Sequence, residues 1–177
     1  MPENHIMVDL ETMNSTPDSA ITSIGAVKFN LDKGLITDDF YVRVKLQSCL
    51  DVGLTIGADT IQWWLKQSEE ARMEIAKPGD YRIEEALEQL KKWMGDYPVV
   101  WGNGAAFDNV ILKNAYKAVG EEAPWPYWND RCFRTLKALL PKIKFERKGA
   151  HIAVEDARYQ AIYLMKALGV YGGEEKN

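Results

Sequence analysis

The chain has 177 residues, 46% of them apolar, and a formal net charge of −4. This content suits one well-packed core, and the length is too short for two full domains. No apolar run approaches the roughly 20 residues that span a bilayer, Met1–His5 lacks the basic-then-apolar order of a secretion signal, and Cys49 and Cys132 stand apart without metal-type spacing, which together point to a cytoplasmic protein with no membrane partner.

Residues 5–10 read as a buried strand, and 20–30 and 39–45 alternate as a second and third, with Asp32-Lys33-Gly34 as a turn. Helices are expected over 58–66 and 69–76, broken by Pro78-Gly79. Ile83–Met94 is amphipathic, with Ile83, Ala86, Leu87, Leu90, Trp93 and Met94 on one side. A short strand over 98–101 ends in Gly102-Asn103-Gly104, and a helix follows over 106–119. Pro124-Trp125-Pro126 marks a loop, and 131–136 begins as a short strand leading into a helix stopped by Pro141. A last helix over 153–168 finishes before Gly169, and 172–177 reads as a frayed tail behind a single domain of residues 1–171. Three antiparallel strands followed by two strand–helix units predict an α/β fold, a mixed five-stranded sheet with helices on both faces.

In that layout the acids converge. Asp9 and Glu11 are two apart on the first strand and so point to one face. Asp108 begins the helix after the fourth strand, and Asp156 lies in the last helix, five residues after His151. Clustered carboxylates select hard divalent cations such as Mg²⁺ or Mn²⁺. Two such ions about 4 Å apart, with a histidine to take a proton from water, are an apparatus for cutting phosphodiester bonds. Each motif alone has a plainer reading: an Asp-x-Glu pair is common in a chain with 27% charged residues, Asp108 suits a helix N-terminus, and Glu155-Asp156 can be an acidic helix start. The chain has only two histidines, however, and His151 falls in register. His5 shares the strand parity of the acids but reads as a strand-entry residue.

The four acids contribute −4, which two divalent ions would cancel. The remaining charge is uneven: Arg131, Arg134, Lys137, Lys142, Lys144, Arg147 and Lys148 face only Glu146 across residues 131–149. That stretch reads equally as a contact for a phosphate backbone or as a solvated loop.

The motifs Val8-Asp9-Leu10-Glu11-Thr12, Trp101-Gly102-Asn103-Gly104-Ala105-Ala106-Phe107-Asp108 and His151-Ile152-Ala153-Val154-Glu155-Asp156 resemble those of DEDD-type 3′→5′ exonucleases of the ribonuclease H-like superfamily. The order, approximate spacing and element context agree over essentially the whole chain. His151 matches the histidine-containing (DEDDh) branch, whereas Ile152 stands where the other branch has tyrosine. The compact length and Trp63-Trp64 are similar to a phage and bacterial group with both deoxyribonuclease and ribonuclease members. The resemblance implies release of nucleoside 5′-monophosphates from 3′ ends of single-stranded DNA or RNA, two divalent cations bridged by Asp9, completion of their shells by Glu11, Asp108 and Asp156, and His151 as general base. It also implies that Met13 and Phe107 wedge the terminal nucleotides; Thr12 and Asn103 are expected beside the substrate, and Lys148, from the basic stretch, on its backbone.

Trp63 and Trp64 are adjacent, so on a helix they point about 100° apart and cannot both enter one core stripe. One is expected in the core, and the other is open to base stacking or to covering the site. Two rival readings keep the fold: a catalytically silent nucleic-acid-binding or adaptor domain, and a ribonuclease H-like endonuclease. The full set of five polar residues disfavours the first, and the His-x-Ala-x-x-Asp segment disfavours the second. A homodimer is left open.

Overall fold

The computed structural model describes residues 4–146 and 151–174. Strands β1 (His5–Thr12), β2 (Ile21–Asn30) and β3 (Leu35–Arg43) form an antiparallel meander. Helices α1 (Leu46–Asp51), α2 (Ala58–Leu65), α3 (Glu69–Ile75) and α4 (Ile83–Met94) follow. Strand β4 (Val99–Gly102) then enters parallel to β1, α5 (Asp108–Ala118) crosses over, and β5 (Asp130–Cys132) runs parallel to β4. Helices α6 (Phe133–Leu139) and α7 (Ala153–Ala167) complete the layers, and β6 (Gly173–Glu174) pairs with β3. The sheet order is β5-β4-β1-β2-β3-β6.

The alternation along β1 divides the core. Ile6, Val8 and Leu10 pack with Ile83, Leu87 and Leu90 of α4 and Ile111, Leu112 and Ala115 of α5. Met7 packs on the other face with Ala157, Ala161 and Leu164 of α7 and Phe133 of α6. Asp9 and Glu11 have the parity of Met7, so they face the α7 side at the end where β1 leaves the sheet. His5 begins the same row at the opposite end: it is buried, stacks on Phe29 at 5.4 Å and accepts from Trp101 Nε1 at 3.1 Å.

The five expected strands are present, with three differences. First, β1 continues to Thr12, pairing Glu11 with Ser23 across from a register shift. Second, β3 runs over 35–43 instead of 39–45, because Leu35 and Ile36 find partners on both β2 and β6. Third, residues 172–174, expected as frayed tail, are tied down: Gly172 N donates to Gly34 O at 2.8 Å, and Gly173 and Glu174 extend the sheet. Helix α1 was not legible from periodicity; it has no side-chain N-cap, and Ser48 and Cys49 are its buried residues.

Two glycines set how closely the site's elements approach. Gly25 pairs with Asp9 across β1 and β2, and a Cβ there would lie 2.1 Å from Val154 N and 2.2 Å from the Ala153 carbonyl carbon. The first turn of α7 therefore lies directly on β2 beside Asp9. At Gly102 a Cβ would lie 2.4 Å from Asn109 Oδ1 and 3.1 Å from Asp108 Cβ, so α5 folds back tightly against the end of β4.

Candidate active site

The four acids come from three elements. Asp9 and Glu11 project from β1, Asp108 is the first residue of α5, and Asp156 lies in the first turn of α7. Asp108 is buried, and its Oδ1 accepts from Leu10 N, between the two β1 acids, at 3.2 Å. The next residue, Asn109, donates from Nδ2 to Val100 O at 3.0 Å and to Asp130 Oδ1 at 2.9 Å, which fixes the start of α5 to β4 and β5. His151 N donates to Asp156 Oδ2 at 3.2 Å. The backbone of His151 has φ 63°, a left-handed conformation uncommon outside glycine. Glu11, His151 and Asp156 each bring a potential ligand atom within 4.8 Å of the others.

The electrostatics report the same convergence. Burial pushes the Asp9 carboxyl well above the usual range, and the neighbouring Asp108, Glu11 and Asp156 carboxylates push it further, against a hydrogen bond from Gln160 that lowers it. Burial also raises Asp108 to about 7, although backbone N–H groups and the Arg134 guanidinium oppose the rise. Hard oxygen donors held against ionisation in this way are a set that a divalent cation fits, because its charge would relieve the repulsion they exert on one another. Asp9, Glu11, Asp108 and Asp156 would hold it.

Beside the acids a cleft of about 330 Å³ is lined by Leu10, Glu11, Thr12, Asn14, Trp63, Trp64 and Phe107, among others. Thr12 is buried, donating from Oγ1 to Asn14 O at 2.7 Å. Phe107 forms one wall, and both it and Met13 pack against the core. The tryptophans divide as the helix geometry predicts. Trp64 is buried and donates from Nε1 to Thr12 O at 2.9 Å, whereas Trp63 is 46% exposed at the cleft. Both rings meet His151 edge to face. Asn103 lies on the loop after β4, its carbonyl accepting from Arg134 Nη2 at 2.9 Å. Lys148 lies outside the described residues. Of the basic stretch, Lys142 and Lys144 are exposed, while the intervening Ile143 and Phe145 lie against α7.

Sequence reasoning did not single out Arg134, the cation that acts on Asp108, or Gln160, whose Nε2 donates to Asp9 Oδ1 at 2.7 Å. The signal for Gln160 was present: it lies one helical turn beyond Asp156, on the same face of α7.

Comparison with known proteins finds relatives along most of the chain. The model of the Rv2179c-like 3′-5′ exoribonuclease domain matches residues 4–168. An exodeoxyribonuclease of Enterobacteria phage T4 is 24% identical, across 92% of this chain and 88% of its own. Escherichia coli exonuclease I, in a zinc-bound complex with single-stranded DNA, superposes with a TM-score of 0.68 at 13% identity over 95% of this chain and 40% of its own. The nuclease domain of 3′hExo, a DEDDh family member bound to rAMP, gives 0.64 at 14% identity, covering 94% and 92% of the two chains. The chain thus spans about two-fifths of exonuclease I and nearly all of the 3′hExo domain. These structures share its fold, the ribonuclease H-like mixed sheet.

Proposed function

The chain belongs to the Rv2179c-like 3′-5′ exoribonuclease domain family, and from that premise we propose that it removes nucleoside 5′-monophosphates from the 3′ ends of single-stranded nucleic acid at the carboxylate cluster of Asp9, Glu11, Asp108 and Asp156. It is a divalent-metal-dependent 3′→5′ exonuclease. The observation that carries the site assignment is that Asp9, pushed up first by burial, lies close enough to Asp108, Glu11 and Asp156, on α5, β1 and α7, for all three to push it further.

The proposed occupants are two Mg²⁺ or Mn²⁺ ions, which Asp9, Glu11, Asp108 and Asp156 would hold. The chemistry such ions supply is activation of water and neutralisation of the charge that builds on phosphate and leaving oxygen. The chain's own residues do the rest. His151 takes the proton of the attacking water on a ring nitrogen. Its placement within 4.8 Å of Glu11 and Asp156 ligand atoms supports that role. Phe107 and Met13 wedge the terminal bases in the cleft, Thr12 and Asn103 hold the terminal nucleotide, and Trp63 covers it. Lys148, with Lys142 and Lys144, follows the phosphate backbone farther along the strand.

Among the described residues no helix is long and apolar enough to cross a membrane, and the unpaired thiols of Cys49 and Cys132 support a cytoplasmic location.

The test is digestion of matched 5′-labelled single-stranded DNA and RNA oligomers with Mg²⁺, Mn²⁺ or chelator. A ladder shortening from the 3′ end, with release of mononucleotides and silence in chelator, is expected. Internal fragments would make it an endonuclease, and intact oligomers would leave a binding domain. The phage relative's name specifies DNA and the family's specifies RNA; the paired substrates decide between them at the 2′-hydroxyl.

A further inference from the structure

Gln160 is in the wrong company for a polar residue. It is 5% exposed, and its helix neighbours Ala157, Ala161 and Leu164 are wholly buried and apolar. Its Nε2 donates to Asp9 Oδ1 at 2.7 Å. Its Oε1 is buried too and has no hydrogen-bond partner among the described residues. A buried carbonyl without a partner costs stability that a leucine or methionine of similar size would not. The side chain is therefore present for its donor end, and that end serves one acceptor.

Asp9 needs such a donor of a particular kind. It stands among three acids, so a lysine or arginine in place of Gln160 would cancel a ligand's charge and compete with any cation. Serine or threonine on α7 would be too short to reach. An amide is long enough and neutral: it fixes the rotation of the carboxylate and leaves its charge available. Carboxylate ligands are commonly oriented by such outer hydrogen bonds.

We infer that Gln160 is a positioning residue, which holds the Asp9 carboxylate in the orientation that accepts divalent cations and does so at the expense of its own unpartnered carbonyl. This rests on the metal-site reading above. Gln160 touches neither substrate nor cation; it acts through Asp9.

The experiment compares wild type, Gln160→Met, Gln160→Leu and Asp9→Asn as full chains. Mn²⁺ binding is measured by calorimetry without nucleic acid, alongside melting temperature in chelator and kcat and KM on one oligonucleotide. Both Gln160 variants are expected to melt at or above the wild-type temperature, since the orphaned carbonyl is gone. Their Mn²⁺ affinity is expected to fall about 10–100-fold, with kcat reduced, KM nearly unchanged, and the rate recovering at high Mn²⁺. Wild-type Mn²⁺ affinity in both variants overturns the inference, and so does a lowered melting temperature with unchanged affinity, which would make Gln160 a packing residue. If wild type itself binds no more Mn²⁺ than Asp9→Asn, the metal-site reading fails and this inference with it, an outcome distinct from the first two.

Discussion

The His151 ring stands edge-on to Trp63, centroids 5.5 Å apart and planes at 85°. Trp64 flanks the same ring at 5.7 Å, so a residue with a left-handed backbone is braced by two indoles from α2. The proposed base is thereby held in one orientation beside the acids. His151→Ala is expected to lower the chemical rate by about 10²–10⁴ while leaving Mn²⁺ binding largely intact. Trp63→Ala should cost less, about tenfold, by loosening the imidazole. Single-turnover rates check both; a His151→Ala enzyme as fast as wild type removes the base assignment.

Each of Asp9→Asn, Glu11→Gln, Asp108→Asn and Asp156→Asn is expected to reduce Mg²⁺-dependent hydrolysis by about 10³-fold or more, since the cations supply several kcal/mol to the transition state. The folded proteins should survive. In chelator, Asp108→Asn should melt higher than wild type, because it removes a buried charge that its surroundings disfavour. Normal turnover in any one variant excludes that residue from the site.

The pH dependence of stability follows from the same two carboxyls. Asp108 is raised to about 7 and Asp9 is raised as well, burial being the leading cause for each, whereas both titrate near 4 when unfolded. Between those values the folded state holds protons that the unfolded state has released, so stability falls as pH rises through the window. In chelator the protein should be more stable at pH 5 than at pH 8 by about 1–3 kcal/mol. Asp108→Asn or saturating Mg²⁺ should flatten the difference. The exposed acids held down by hydrogen bonds, Asp51 by Gln47 and Glu88 by Lys92, act below that window. Urea midpoints across the pH range measure the slope, and a rise from pH 5 to pH 8 in chelator contradicts the account.

Gly25→Ala tests the packing that delivers α7. The added methyl meets the backbone of Ala153 and Val154, which cannot rotate away as a side chain can. Destabilisation of about 1–3 kcal/mol is expected, with activity falling further than stability because Asp156 and His151 move off Asp9. A variant with wild-type melting and activity would falsify the close approach.

If Lys142 and Lys144 follow the substrate backbone, Lys142→Glu with Lys144→Glu should weaken binding of long oligomers. The log–log salt slope should drop by about 0.7 for each lost contact. Dinucleotide cleavage should change little. An unchanged slope makes the segment a solvated loop pinned to α7 by Ile143 and Phe145.

Much of this site was legible because β-strand parity and helix periodicity are local. Asp9 and Glu11 were placed on one face by spacing alone, and Ile83–Met94 forms the helix its apolar stripe predicts. What was not legible depends on distant partners. The first residues of β3 are held by β2 and by the chain's last strand, and Thr37-Asp38-Asp39 carries no alternation to reveal it. α1 is six residues long, too short to display a period. Gln160 looked like an ordinary helix residue until α7 was laid across β1, and Arg134 looked like one more cation in a basic run until its guanidinium met the Asn103 carbonyl.

The bond between Gln160 and Asp9 joins residues 151 positions apart. During synthesis, β1 with its two acids emerges well before α7, so a partial chain ending before α7 carries Asp9, Glu11 and Asp108 without His151, Asp156 or the amide that steadies Asp9. A chain without α7 therefore lacks part of the candidate site, and the set of five polar residues is brought together only when that helix docks on β1 and β2.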